Sequence, residues 1–270
     1  MIILDALLNG ITQGAMIALV ALGYTMVYGV LKLINFAHSE VFMMSAYVGL
    51  FCIARLGGAA SPLLAGGVGT AAAMGFAAAL GMSVLVQNLA QLLFTAQFRP
   101  YPQLMRGTVD VGVTMSTSRL LVLTTSVVVM VALEIVVKRT WFGKAMRALS
   151  TNEEAARLMG VRTSRVIATT FALGSSLAAL GAVLYCLDQS QVYPTMSTVI
   201  GTRAFVAAVL GGIGSITGAM LGGLLLGVIG ELVKLTDYSG GVDVLVFVVL
   251  IAVLLVRPAG LLGRAGIEKV

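Results

Sequence analysis

Residues Ala204–Gly230 read AFVAAVLGGIGSITGAMLGGLLLGVIG, and whether this stretch is one helix or two decides how the chain is threaded. Its apolar residues would fill one crossing of a hydrocarbon core roughly 30 Å thick, which takes about 20 residues. GGIGSITGAMLGG interrupts them. Gly211, Gly212 and Gly214 suit a non-helical joint. Gly214, Gly218 and Gly222 recur every fourth residue, a spacing that lays glycine along one helix face and lets a neighbour come close. A break at membrane depth is tolerated only where the freed backbone is buried in protein or lines a wet cavity. A kinked but continuous helix would show the same glycines, so the flanking charges have to arbitrate.

Upstream, Val166–Leu187 carries no charge, and before it lies a basic island at 138–165. The island holds Lys138, Arg139, Lys144, Arg147, Arg157, Arg162 and Arg165 against Glu153 and Glu154. No other connection has such an excess, so the positive-inside rule places it in the cytoplasm. Arg257, Arg264 and Lys269 place the C-terminal end there too. An even number of crossings must then separate the two. Val166–Leu187, Ala204–Gly230 and Val242–Val256 make three apolar segments, so one must break. The glycine-rich one is expected to.

The rest of the chain fits that frame. Of its 270 residues, 59% are apolar and 10% charged, whereas a soluble domain is about a quarter charged. Ile11–Leu31, Val41–Ala54 and Leu120–Val137 read as further apolar segments, and residues 56–98 contain no formal charge. Runs this long without alternation argue against a β-barrel. The expectation is an all-α, polytopic bundle of about 7–8 membrane segments. It forms one permease-like domain over 1–270, with loop 138–165 inside it. The net charge of +6 lies between apolar spans, which the positive-inside rule explains without nucleic acid. Cys52 and Cys186 stand apart in apolar surroundings and read as packing residues. The first apolar run lacks a basic leader and reads as a retained span.

No catalytic motif is present: His38 is the only histidine, so no histidine-based metal cluster can form. G-x-S-x-G, C-x-x-C, H-E-x-x-H and the P-loop pattern are all missing. Asn35, His38 and Glu40 interrupt two apolar runs in LINFAHSEVFMM. Polar groups at membrane depth usually face a bundle interior or a pathway. They would either line a route for solute or protons, or cap helix ends at the surface. Glu134 lies four residues before Lys138 and pairs with it in the simplest reading. Trp141 and Phe142 suit an interfacial anchor. In STNEEAARLMG, Ser150, Thr151 or Asn152 can cap a short helix with Glu153 and Glu154 in its first turn. Ala155, Ala156, Leu158 and Met159 give it a narrow apolar face, and Gly160 a stop. A face that small and Ala-rich suits a socket in a protein better than lipid.

Glu154-Ala155-Ala156, three residues, then Gly160 resembles the E-A-A-x-x-x-G signature of ABC importer permeases. GYTMVYGVLKLINFAHSEVFMM, RTWFGKAMRALSTNEEAARLMGV, AFVAAVLGGIGSITGAMLGGLLLGV and LLVRPAGLLGRAGIEKV resemble, in the same order, the branched-chain amino acid importer permeases of the LivH type. Ser39 and Thr217 depart from the Gly and Pro usual there, and the stretch 56–98 looks shortened. The resemblance implies a heteromeric importer in a bacterial inner membrane. Its parts would be this subunit, a second related permease, two ATPases and an extracytoplasmic substrate-binding protein. ATP and Mg would be used by the ATPases, with no cofactor on this chain. It also implies that Arg147, Glu153, Glu154, Ala155, Ala156, Arg157 and Gly160 couple to the ATPase. Branched-chain amino acids, urea, amides and aromatic acids all fall within its substrate range. Two other classes compete: a proton-coupled carrier using His38 and Glu40, and a membrane scaffold that transports nothing.

Overall fold

The computed structural model describes residues 2–55, 80–102, 107–110, 114–236 and 239–263. Their helices, in chain order, are α1 (Ile2–Leu31), α2 (His38–Arg55), α3 (Leu80–Phe94), α4 (Thr117–Arg139), α5 (Trp141–Thr151), α6 (Glu153–Leu158), α7 (Thr163–Gln189), α8 (Met196–Gly211), α9 (Ile216–Lys234) and α10 (Val242–Val256). Four of them are long and apolar enough to cross a membrane: α1, α4, α7 and α9. Three shorter apolar helices lie within α3, α8 and α10. With α2 beside them, the described residues form the expected polytopic helical bundle. Of the uncharged stretch 56–98, residues 56–79 lie outside the described residues. The small β content is two antiparallel ribbons. One pairs β1 (Arg99–Pro100) with β4 (Gln191–Val192), and the other pairs β2 (Thr108–Asp110) with β3 (Thr114–Ser116).

The glycine-rich stretch is two helices. α8 ends at Gly211 and α9 starts at Ile216, capped by Ser215, whose Oγ accepts from the Gly218 amide at 3.1 Å. Thr217, at the start of α9, donates to Glu134 near the end of α4 (3.2 Å). Gln13, near the start of α1, donates to Asp188 near the end of α7 (2.9 Å). These contacts put the ends of α4 and α8, the starts of α7 and α9, and the island at one end of the bundle. The C-terminal segment reaches that same end: the amides of Leu261 and Leu262 bond to the carbonyls of Leu210 and Gly211. Four segments, α7 to α10, therefore separate the two basic regions, the even number that charge parity requires.

α1 is the central post, and Ala15–Leu22 is buried without a break. Lipid is as apolar as these side chains, so helix association rests on close packing. Small residues supply it. Gly10, Gly14 and Ala18 of α1 meet Val228, Gly227 and Gly223 of α9 backbone to backbone, and a Cβ on Gly14 or Gly227 would strike the opposite main chain. Gly211 and Gly218 do the same between α8 and α9, while Gly222 lies on the Ala207 carbonyl. Gly214 belongs to the joint and not to this face, because its left-handed φ of 92° lies outside the helix. The expected three-residue glycine face is thus Gly218 and Gly222, doubled by a second one at Gly223 and Gly227.

Candidate functional site

The island folds into two short helices on a firm footing. Thr140 ends α4 and caps α5, its Oγ1 accepting from the Gly143 amide. Gly143 lies so close to the Val137 carbonyl that a Cβ would overlap it. Ala145, Met146 and Leu149 bury one side of α5. Arg147 donates from Nη1 to that Val137 carbonyl at 2.6 Å, satisfying one of the orphan acceptors at the end of α4. Arg147 thus spends a donor inside the chain, at the joint between α4 and α5.

Asn152 breaks the chain between α5 and α6. It is the residue that caps α6, accepting from the Ala155 amide at 3.0 Å. Glu153 pairs with Arg157 at 2.8 Å, an exposed i,i+4 contact of little energetic weight. The helix closes in a Schellman turn: the Gly160 amide bonds to Arg157 and the Val161 amide to Ala156, both at 3.0 Å. Gly160 has φ 83°, a left-handed conformation that glycine adopts without Cβ strain. Arg157 Nε also reaches Thr163 Oγ1 at 3.3 Å, so α6 is fastened to the start of α7.

The apolar residues of α6 divide. Ala156 is 4% exposed and turned inward, whereas Leu158 and Met159 are 88% and 85% exposed. Ala155 and Glu154 point outward with them. Among the described residues, Arg139, Lys144, Glu154, Arg162 and Arg165 are all exposed and make no ion pair. The island's outward surface thus combines two large apolar tips with charge that the described residues leave unpaired. Sequence spacing had put Ala155 and Ala156 on that surface together; the Schellman turn draws Ala156 into the foot.

Asn35, His38 and Glu40 lie elsewhere. The Asn35 side chain accepts from the Ala37 amide at 3.1 Å, closing the turn that launches α2. His38 is 3% exposed. Its ring lies across Gly23 of α1, where a Cβ would collide with it, and edge-on to Tyr24 with centroids 4.7 Å apart. Ser39 stands against Gly201 of α8 in the same manner. Glu40 is buried too. The start of α2 is thus a peg seated between α1 and α8, with two glycines cut to receive it. His38 Nε2 makes no hydrogen bond among the described residues.

At the joint, Gly212 has φ 101° and its Cα touches Gly260 and Gly263 of the C-terminal segment. Together with the two amide–carbonyl bonds from Leu261 and Leu262, this holds the end of α8 against protein; Gly212 is buried there, whereas Gly214, two residues further along the joint, is exposed. Sequence reasoning missed the Gly10-x3-Gly14-x3-Ala18 row in α1, although its spacing was on view. It also missed a charged cluster at the opposite end, where Arg119 and Asp188 approach to 3.5 Å beside a polar cavity of about 210 Å³. Those residues lie 69 positions apart in sequence, and no local pattern joins them.

Comparison with known proteins gives a consistent answer. The family described as branched-chain amino acid transport system / permease component matches residues 6–255. The permease protein BraD of a high-affinity branched-chain amino acid transport system from Pseudomonas aeruginosa is 37% identical, covering 99% of this chain and 98% of BraD. The permease proteins LivH of Salmonella typhimurium and Escherichia coli K12 are 39% and 38% identical, covering 99% of this chain and 97% of each relative. These alignments run over 303 residues, so this 270-residue chain is the shorter partner in each. No solved structure gives a significant match.

Proposed function

Because the chain belongs to the branched-chain amino acid transport system permease family, we propose that it is the membrane-spanning subunit of an ATP-driven importer of branched-chain amino acids. It is a multi-pass membrane protein and a transport subunit, not an enzyme. On this reading it sits in a bacterial inner membrane beside a second, related permease. Two ATPase subunits bind ATP and Mg below it, and a substrate-binding protein delivers cargo from outside. The island and the C-terminal segment then face the cytoplasm, and the start of α1 faces out.

One observation carries the coupling role: α6 presents Leu158, Met159 and an unpaired Glu154 outward while its other side is fastened to the bundle. A helix that only lay on the bilayer would have no need of such a rigid foot. Closure of the ATPase dimer would push α6. The Schellman turn and Arg157 pass that displacement to α7, and α5 with Arg147 passes it to α4. The Thr217–Glu134 contact carries it on to α9, so the bundle turns as a unit and alternates access. Glu153, Ala155 and Gly160 shape the docking surface, and Ala156 and Arg147 position it.

The proton-carrier reading has less support, because the imidazole of His38 is buried against Gly23 and Tyr24. The test is recovery of partners from native membranes in mild detergent, wild type beside Glu154→Lys, together with leucine uptake. ATPase subunits should accompany the wild type and be lost from the variant, whose uptake falls by more than ~10-fold, a loss of at least about 1.4 kcal/mol in coupling. Normal ATPase recovery and uptake in Glu154→Lys would falsify the docking role.

A further inference from the structure

Among the described residues, three of the helix faces that turn away from the bundle differ in kind. The outward face of α4 shows Val127, Val128, Val131 and Ile135, and that of α10 shows Val244, Phe247, Val248 and Ile251. Both are hydrocarbon apart from Thr124 on α4, whose hydroxyl bonds back to the Leu120 carbonyl at 2.9 Å. The third, made by α3 and α8, is mixed: α3 exposes Val84, Leu85, Leu92 and Leu93, and polar side chains run beside them. On α3, Gln87, Asn88 and Gln91 fall at helical spacing on one side, with Asn88 exposed and the two glutamines half-buried. Gln87 donates to Thr198 Oγ1 on α8 at 3.1 Å. Thr202, one turn further along α8, bonds back to the Thr198 carbonyl at 2.6 Å and keeps acceptor capacity on its hydroxyl. Gln91 makes no side-chain hydrogen bond among the described residues. Below Thr202 on α8 comes Phe205, with the partly exposed Phe36 ring tilted 45° to it at 5.9 Å.

Side-chain amides with spare donors and acceptors are costly against lipid tails. Asn88 turns one donor back to the Val84 carbonyl at 2.7 Å, yet these three amides and two hydroxyls in one stripe, on helices that otherwise carry leucine and valine, keep hydrogen-bonding capacity that water or a polar solute would satisfy. We infer that the stripe Gln87, Asn88, Gln91, Thr198 and Thr202 lines the outer half of the translocation pathway, with Phe205 and Phe36 continuing it inward. The solute it fits is a zwitterion with an aliphatic side chain. Amide and hydroxyl groups hydrogen-bond both a carboxylate and an ammonium without holding either as a fixed counter-charge would, which permits release. The aromatic and leucine surface beside them takes the aliphatic part. This rests on the importer reading above, and it adds which side of the subunit faces cargo.

The experiment uses the assembled importer in proteoliposomes, carrying this subunit with Cys52 and Cys186 replaced by alanine. Single cysteines are placed at Gln87, Gln91, Thr198, Val131 and Val248. A charged, water-soluble methanethiosulfonate is applied, with and without leucine-loaded binding protein and ATP. Because the reagent consumes thiolate, which forms only in contact with water, Thr198→Cys and Gln91→Cys should react at least ~10-fold faster than Val131→Cys and Val248→Cys. Modification should block leucine uptake, and turnover with leucine should change the rate of labelling. Gln91→Cys removes no hydrogen bond, so a folding defect cannot imitate the result. Reaction at the stripe only with a lipid-soluble maleimide would overturn the inference, since the face would then meet lipid. Labelling that leaves uptake untouched would overturn it as well. If the unlabelled wild-type complex imports no leucine, the importer reading itself fails, a result distinct from a working importer whose stripe does not react.

Discussion

At the end of the bundle where α1 begins, Asp188 is almost wholly buried and accepts from Gln13 and Gln189, at 2.9 and 3.2 Å, while Arg119 lies 3.5 Å away. Lys234 and Glu231 pair beside it, and Arg203 forks onto Asp243 at 2.7 and 2.9 Å. At the opposite end, Arg139, Lys144, Glu154, Arg162 and Arg165 point outward and pair with nothing among the described residues. The first region uses charge to tie α1, α4 and α7 together and to fasten α8 to α10, with a further pair inside α9. The second leaves it uncommitted. On the importer reading proposed above, the charge that the loop does not use on itself is what an ATPase would grip, and the difference would then separate what holds the fold from what drives it.

Replacing one residue in each region should give opposite results. Asp188→Ala strands Arg119 and two amides, and should lower stability by about 1–3 kcal/mol, discounted from a fully buried pair because Arg119 is partly in solvent. The thermal midpoint of the detergent-purified protein reads this. Glu154→Ala should leave that midpoint within ~0.5 kcal/mol while uptake falls. An unchanged midpoint in Asp188→Ala would erase the distinction. Raising salt sharpens it further. Between 0.1 and 1 M the screening length shrinks from about 10 to about 3 Å, so ATPase subunits should dissociate while the midpoint stays where it was. If salt melts the bundle before it releases the partners, the outer cluster is the more exposed of the two.

How much of this was readable beforehand follows from range. Parity of crossings located the break in Ala204–Gly230 because it needs only a count of basic residues and apolar segments. Asn152 and Gly160 were legible because capping and left-handed stops act within a few residues. The footing of α6 was not. Ala156 faces inward because its carbonyl takes the Val161 amide, which depends on how α7 leaves the loop. Hence Ala156→Trp would disturb the foot, and Ala155 is the better probe of the socket. α5 escaped notice for a different reason: its capping by Thr140 rests on the fit of Gly143 against Val137. His38 drew attention as a rare polar group, yet what explains its place is Gly23, 15 residues earlier.

Gly160→Ala is a weaker perturbation with a pointed outcome. The residue sits at φ 83° with open space where a Cβ would go, so the cost is conformational, about 1 kcal/mol. That cost falls on the Schellman turn and not on the bundle. The thermal midpoint should hardly move, and uptake should fall several-fold because α6 loses its fixed angle to α7. Equal loss in both would mean that the turn supports the bundle as well.

The smallest effect is expected at Lys138, and it tests whether partnering within the chain is what marks a charge as structural. Lys138 pairs with Glu134 one turn earlier, but the lysine is largely in solvent, where such a pair contributes under about 0.5 kcal/mol. Glu134 keeps its second partner, Thr217 of α9, when the lysine is gone. Lys138→Met should therefore change neither midpoint nor uptake measurably, whereas Glu134→Ala, which also severs the link to α9, should slow uptake. If Lys138→Met abolished recovery of the ATPases, its ammonium would belong with Glu154 on the docking surface. The boundary between charge kept and charge offered would then move one turn up α4.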